Sequence, residues 1–419
     1  MSRLAFLSPL PPAATGIADY SAELLALLAP LHHLDVYHAQ PEVERTRLPA
    51  ACGVWPAAEL LTRHAERAYD LVIYQLGNGP DHAFQYPLMT RLPGLLVLHD
   101  LVLHHARALV HLDSDAARAY AHDPSSQALR QAALGGLQAY TDELRQAYPR
   151  QAERLAAVQL GSVGRLLPYA YPLFRQPVAA ARLTAVHNGC MARAIEDEVP
   201  AARVARVSMP IRTQALPAGA VAALRARLLL GPDDFVVGSF GLLTREKQIA
   251  TVARAVARAV PHLPRLRLLL VGAVPDRARL DRLLADSGIA ERSVITGRVA
   301  FTELAAHIEA VDVAVHLRYP TARETSAALL RLLAQGRPTV MSDLENFAEI
   351  PEDAVWRADP TDEEGEVTRA LLRLAASPGT RDRLGRAAAA HVAQAHSDER
   401  CLESYQAAIA AAIGQGAGG

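Results

Sequence analysis

Lysine is almost absent from this chain: of 43 basic residues in 419, only Lys247 is not arginine. Arginine serves here wherever any cation will do, so the exception marks a place that calls for a compact ammonium on a flexible stem, as phosphate oxygens do. Cysteine is scarce too. Cys52, Cys190 and Cys401 are odd in number, far apart and without metal-ligand spacing, which excludes a disulfide framework and a cysteine zinc site and fits a reducing compartment. Net charge is missing, since 43 basic and 44 acidic side chains leave a formal −1. No global field recruits nucleic acid or an anionic membrane, and any polyanion has to be held locally. No stretch approaches 18 uncharged apolar residues, and Met-Ser-Arg before one short apolar run is too little for a secretory leader. A cytoplasmic protein is expected, with at most peripheral contact at the inner face of the membrane.

What is present is ordinary globular composition, 51% hydrophobic and 21% charged. The length suits two domains of roughly 200 residues with a cleft between them. Short runs rich in Val, Leu and Ile alternate with amphipathic helical stretches, the pattern of parallel sheets covered on both faces. The fold class is therefore α/β, two Rossmann-like, doubly wound parallel-sheet domains facing a cleft. Strands are predicted at Arg3–Leu7, Leu34–Tyr37, Leu71–Gln75, Leu95–Leu98, Leu183–Val186 and Val204–Ser208. A second set is predicted at Phe235–Phe240, Leu266–Val271, Ser293–Thr296, Val311–Leu317, Pro338–Met341 and Ala354–Arg357. Residues 1–210 form the first domain, with a helical insertion at about 106–177. Pro210, Pro217, Gly219 and Pro232 mark 211–232 as a linker. The second domain is expected over 233–397, and residues 398–419 supply a helix that packs back on the first domain, followed by a flexible Gly-rich tail.

In open α/β sheets, functional loops lie at the carboxyl ends of strands, where helix N-termini offer free N–H groups to anions. Several polar clusters fall at such places. The first loop ends in Thr15-Gly16, and Gly16 lets a backbone approach a phosphate closely. This loop is not a G-x-G-x-x-G turn, which argues against a nicotinamide site. Gln75-Leu-Gly-Asn78-Gly-Pro-Asp-His82 and His99-Asp100 follow two neighbouring strands, so their side chains face one cleft. Metal ligation by His104 and His105 is disfavoured, because adjacent residues point apart on a helix. In the second half, Gly238-Ser-Phe-Gly-Leu-Leu-Thr-Arg245-Glu-Lys247 leads into a helix, and a cation at that position opposes the helix dipole unless an anion is bound beside it. Arg318-Tyr-Pro-Thr-Ala-Arg-Glu324-Thr325-Ser326 again joins a strand to a helix. Lys247, Arg318 and Glu324 are expected at one edge of one sheet. Arg130, Arg145, Arg150 and Arg154 in the insertion read as a solvated helix face rather than a membrane contact.

Taken in order, these segments resemble a GT-B-fold glycosyltransferase of the retaining family 4, over almost the whole chain. The Gly16 loop resembles that family's N-terminal glycine loop, which meets the donor diphosphate. Asn78 to His82 and His99-Asp100 are similar to segments of a bacterial subgroup in which the histidine lies near the transferred sugar. Lys247 matches the diphosphate-binding lysine, and Gly297-Arg298 resembles the loop that holds the nucleobase. The stretch from Arg318 through Glu324, Thr325 and Ser326 to Arg331 resembles the subgroup's variant of the paired-glutamate motif. The resemblance implies His99, Glu324 and Lys247 as catalytic. It implies Gly16, Arg245, Arg298, Arg318, Thr325, Ser326 and Arg331 as donor-binding, and Asn78, His82 and Asp100 on the acceptor side. No metal and no cofactor are implied beyond a UDP-, GDP- or dTDP-linked sugar as co-substrate. The partners implied are a nucleotide sugar and a glycan, lipid-linked or protein acceptor.

Three departures stand out. Leu242 occupies the position of an arginine usually found five residues before the lysine, which leaves Arg245 or Arg318 to replace it. Arg331 replaces the second glutamate, which usually binds ribose hydroxyls, and Arg323 replaces a glycine. These departures motivate an alternative, a non-catalytic relative that binds a nucleotide sugar or a protein partner. A phosphorylase or an epimerase of the same fold is a more distant reading.

Overall fold

The computed structural model describes residues 1–123, 125–160 and 166–414. The tail expected at 415–419 lies outside the described residues, as do residues 124 and 161–165 of the expected insertion. The chain divides into two units. One comprises Met1–Pro210, Ala322–Thr325 and Cys401–Gly419, and the other Ile211–Thr321 and Ser326–Arg400.

The first unit is built on seven parallel strands: β1 (Arg3–Leu7), β2 (His33–His38), β3 (Gly53–Pro56), β4 (Leu71–Leu76), β5 (Leu95–Leu98), β6 (Leu183–Val186) and β7 (Val204–Arg206). They lie in the order β3-β2-β1-β4-β5-β6-β7. The central strands are uninterrupted apolar runs because both faces are covered, and Phe6 pairs with Val36 on one side and Ile73 on the other. Leu4 to Leu7, Leu71 to Leu76 and Leu95 to Leu98 are all buried. Edge strand β3, Gly-Val-Trp-Pro, was not predicted; it is short, half-buried and bounded by a glycine and a proline. At the other edge β7 ends earlier than predicted, because the Ser208 N–H donates to Ser404 Oγ at 3.1 Å instead of extending the ladder.

The expected insertion is helical, with helices His104–Leu112, Asp115–His122, Gln127–Ala147 and Ala152–Leu160 before the short Leu167–Ala170 and Arg175–Ala180. Glu143 ties the first of these to the third, accepting from Arg107 Nη2 at 2.7 Å and from His111 Nε2 at 2.6 Å. Arg145 pairs with Asp142 and Glu153 on the exposed face. The last helix, Asp398–Ile413, is counted with the first unit from Cys401 onward, where Tyr405 is fully buried against Tyr20 and Gln406 meets His32.

The second unit has six parallel strands: β8 (Phe235–Phe240), β9 (Leu266–Val271), β10 (Ser293–Gly297), β11 (Val313–His316), β12 (Thr339–Ser342) and β13 (Trp356–Ala358). Their order is β10-β9-β8-β11-β12-β13. The core on one face gathers Val252, Val256, Leu268, Leu270, Val313, Val315, Leu371 and Leu374. Residues 211–232, predicted as a linker, are built into this unit. They contain the helix Ala220–Arg227; Leu224 is buried, Leu230 packs with Val236 and Phe240, and the Arg225 guanidinium donates to the carbonyls of Gly231 and Asp234 at 2.9 and 2.7 Å.

Each sheet reverses its strand order once, beside β1 and β4 in the first and beside β8 and β11 in the second. Loops at the carboxyl ends of such strand pairs are where open α/β sheets bind ligands.

Candidate functional site

In the second unit, β8 runs into Gly241 and then the turn Arg245–Lys247, after which Gln248, in the left-handed region, starts the helix Ile249–Ala259. The loop is stitched to its neighbours by backbone bonds. Gly241 N donates to Val271 O at 2.9 Å, Leu243 N to Ala273 O at 2.9 Å, and Tyr319 N to Glu246 O at 2.9 Å. Gly272 is required here: a Cβ on it would lie 1.8 Å from the Gly241 carbonyl oxygen, and its φ is +148°. Lys247, expected at a loop edge, is 5% exposed. Its Nζ lies 3.5 Å from His316 Nδ1, and a Cβ placed on Gly241 would meet its Cε and Nζ at 3.4 Å. His316 is buried, and its basicity is pushed well below that of an ordinary imidazole by burial first, then by the charges of Lys247 and Arg318. Both cations therefore act at one point.

That grouping bears on the two arginines, Arg245 and Arg318, that the resemblance offers in place of one expected at Leu242. Arg318 is half-buried beside His316, its N–H donating to Ser342 Oγ at 3.0 Å, whereas Arg245 is exposed. Arg245 lines a groove of about 470 Å³ with Arg279, Asp276 and Leu283, whose walls include neither Lys247 nor Arg318. Leu242 itself is 54% exposed. Arg298 is exposed beyond Gly297, whose carbonyl accepts from Gly272 N at 2.9 Å. Arg331 lies with its guanidinium over the Phe301 ring, 4.6 Å from the centroid. Ser326 caps the helix Ala327–Ala334, its Oγ accepting from Leu329 N.

Glu324 and Thr325 belong to the four residues, Ala322–Thr325, that are counted with the first unit. Leu101 N donates to Ala322 O at 2.9 Å, and Asn188 Nδ2 donates to Arg323 O and to Thr325 Oγ1, both at 2.9 Å. Glu324, between the two anchored residues, is 6% exposed. Arg323 takes φ +59°, a left-handed conformation natural to glycine, the residue that the resemblance implies there.

In the first unit, Gly16 opens the helix Gly16–Leu28 behind its cap Thr15, and a Cβ there would meet nothing within 4 Å, so no internal packing calls for glycine. Asn78, His82 and Asp100 are drawn together. Asn78 N donates to Asp100 Oδ2 at 2.9 Å, and a Cβ on Gly77 would meet His82 Nε2 at 3.1 Å and Asp100 Oδ2 at 3.2 Å. His82 donates from Nδ1 to the Gln75 carbonyl at 2.9 Å, and burial lowers its basicity to about 4.

His99 is buried, with its Nε2 2.8 Å from the Gln75 amide and its Nδ1 3.3 Å from His187 Nε2, under the edge of the Tyr20 ring. The directions of these bonds follow from charge. His187 donates from Nδ1 to Val207 O and burial lowers it to about 4, so it is neutral and its Nε2 can only accept. His99 then donates from Nδ1 and accepts at Nε2. With the Gln75 oxygen facing His99, Gln75 Nε2 would be buried without a partner; turning the amide lets its nitrogen donate to His99. Both ring nitrogens of His99 are thus committed inside the unit, and burial holds the ring uncharged. Its loop offers a ligand the backbone and a ring edge rather than a proton.

Gln75, Asn188, His187 and His316 were not singled out from sequence. His187-Asn188 follows a strand as His99-Asp100 does, a signal present but not followed; His316 was hidden inside a predicted strand. Among the described residues no group of His, Cys, Asp and Glu could hold a metal ion, and no helix is long and apolar enough to cross a membrane.

Residues 234–377 match the family described as Glycosyl transferases group 1. Among solved structures, sucrose-phosphate synthase from Thermosynechococcus elongatus is similar with a TM-score of 0.66 at 19% identity, over 98% of this chain and 100% of that one. HepE from Anabaena in complex with UDP and glucose gives 0.65 at 15%, over 98% and 100%. WaaG, a glycosyltransferase involved in lipopolysaccharide biosynthesis, gives 0.64 at 14%, over 99% and 100%. No curated protein matches the chain significantly. At these identities the likeness establishes the fold, the GT-B arrangement of two Rossmann-like parallel-sheet domains.

Proposed function

We propose that this chain is a metal-independent, retaining glycosyltransferase of family 4. It would move a sugar from a nucleotide diphosphate sugar to a hydroxyl of a glycan, lipid-linked or protein acceptor in bacterial polysaccharide, glycolipid or glycoconjugate synthesis in the cytoplasm. The observation that carries this reading is the sole lysine, buried at the carboxyl end of β8 within the matched segment and sharing one positive field with Arg318. HepE, solved with UDP and glucose and with UDP-glucose, supports a nucleotide sugar as donor.

Transfer builds charge on the departing diphosphate while the sugar takes on oxocarbenium character. Lys247 and Arg318 stabilise that charge without reorganising, because burial and backbone stitching already fix them. Helix N–H groups at Gly16 and near Ser326 add donors to phosphate oxygens. Glu324, anchored on both sides through Asn188, orients sugar hydroxyls. His99 shapes the reacting face without exchanging a proton, and retention follows from attack on the face the diphosphate leaves. Asn78, His82 and Asp100 line the acceptor side.

Thermal melts with UDP, GDP, dTDP and ADP identify the donor base, since a ligand that binds the native state raises the midpoint. Lys247→Ala should abolish that shift for the responding nucleotide and reduce transfer about a hundredfold or more with the fold intact. Full activity in that variant refutes the assignment. The exposed Leu242 and the stacked Arg331 favour a second reading, a nucleotide-sugar binder without turnover. A protein that binds nucleotide but neither transfers nor hydrolyses any sugar donor would decide for it.

A further inference from the structure

His316 ends β11 after Val-Ala-Val, where an apolar residue would complete the strand. Buried histidines are usually satisfied on both ring nitrogens, and this one is not. An ammonium has only hydrogens to give, so Lys247 Nζ, 3.5 Å away, requires the lone pair on Nδ1. The ring proton is then on Nε2, which is buried and reaches no acceptor. The opposite tautomer would point an N–H at the ammonium. The unpaired Nε2–H is therefore the cost of aiming the Nδ1 lone pair at Lys247. Phe347 packs edge-on to the ring at 6.1 Å and holds it in this plane. On the other side, Gly241 leaves just the space that Cε and Nζ fill. The ammonium thus has both Gly241 and the imidazole as near neighbours.

We propose that His316 is a positioning residue for Lys247: an uncharged acceptor that helps fix the direction of the ammonium without itself cancelling its charge. A carboxylate in the same place would hold the lysine as well, but would cancel its charge toward the ligand. The proposal rests on the reading that Lys247 meets a diphosphate.

The chain's single lysine makes the test direct. Protein labelled with 15N at lysine Nζ gives one ammonium signal, observed in the wild type and in His316→Asn, His316→Phe and His316→Asp, with inorganic pyrophosphate as the titrated probe and thermal melts to check folding. Asparagine keeps an acceptor near the place of Nδ1, so the signal and the pyrophosphate affinity should stay within about threefold of wild type. Phenylalanine keeps the shape and removes the acceptor; the signal should move and affinity should fall about tenfold. Aspartate should hold the lysine and still lose about tenfold or more in affinity. An unmoved signal and unchanged affinity in His316→Phe would overturn the proposal, as would equal losses in all three variants. Should the phenylalanine variant fold poorly, the wild-type tautomer decides: 15N imidazole shifts must place the His316 proton on Nε2, and a proton on Nδ1 overturns it. Equal pyrophosphate binding by wild type and Lys247→Ala would refute the diphosphate reading separately, and the lysine signal would still judge the contact.

Discussion

Asn188 uses both ends of one amide. Oδ1 accepts from Met191 N at 2.9 Å and caps the helix Gly189–Glu198, and Nδ2 holds Arg323 O and Thr325 Oγ1 on either side of Glu324. The two jobs can be separated. Asn188→Asp keeps the cap acceptor, with a charge that suits a helix N-terminus, but turns a donor toward two oxygens into a third oxygen. Urea unfolding should find this variant's helix stability nearly unchanged while transfer falls about tenfold. Asn188→Ala loses both functions and should cost about 1–2 kcal/mol of stability as well. Lys247 was legible in the sequence because its meaning is compositional: one ammonium among guanidinium groups. Asn188 was not, since its partners lie 135 and 137 residues away and nothing local announces a side chain that acts through a distant backbone. The same holds for Gln75 and His187, whose value is in the directions of their hydrogen bonds.

Among elements, the loops after β1 and β9 show two kinds of glycine. Gly272 is demanded from inside, since any side chain would strike the Gly241 carbonyl, and Gly272→Ala should destabilise the second unit by about 3 kcal/mol in denaturant titration. Gly16 meets nothing. Gly16→Ala should fold as well as wild type or better by about 0.5–1 kcal/mol, and nucleotide-induced thermal shifts should nevertheless shrink if a phosphate approaches that backbone. Loss of stability in Gly16→Ala would mean that its room is already filled. Strands such as β1, β4 and β9 were readable because burial on both faces writes an unbroken apolar run. Edge strand β3 was not, because a half-exposed strand closed by Gly and Pro carries a turn's composition. The helix Ala220–Arg227 was hidden for a related reason, its Ala-rich run lying between Pro217, Gly219 and Pro232.

For the molecule as a whole, the uneven placement of neutral histidines sets its response to acid. In the first unit burial lowers His82, His104 and His187 to about 4, and His99 well below the ordinary 6.5. Unfolded, all four titrate near 6.5, so between that pH and about 4 the unfolded state binds protons that the folded state refuses. Stability is full above 6.5 and is lost as pH falls through the window. Each group should remove about 1 kcal/mol between pH 7.5 and 5.5. Trp55 lies in the first unit and Trp356 in the second, so Trp356→Phe and Trp55→Phe variants report each unit by fluorescence. The Trp55 signal should show the larger acid shift in urea midpoint, because the second unit's histidines of lowered basicity, His316 and His391, are fewer; a Trp55 midpoint that does not move with acid would mean that the first-unit histidines titrate normally.

The last helix carries a consequence for how the protein is made. Tyr405, hydrogen-bonded to the Tyr20 whose ring packs on His99, is synthesised after every strand of both sheets. The domain that leaves the ribosome first is thus finished last, and must wait through translation of its neighbour with Tyr20 and the His99 pocket uncovered. A nascent chain halted before residue 401 would present that opening to chaperones until the helix carrying Tyr405 emerges.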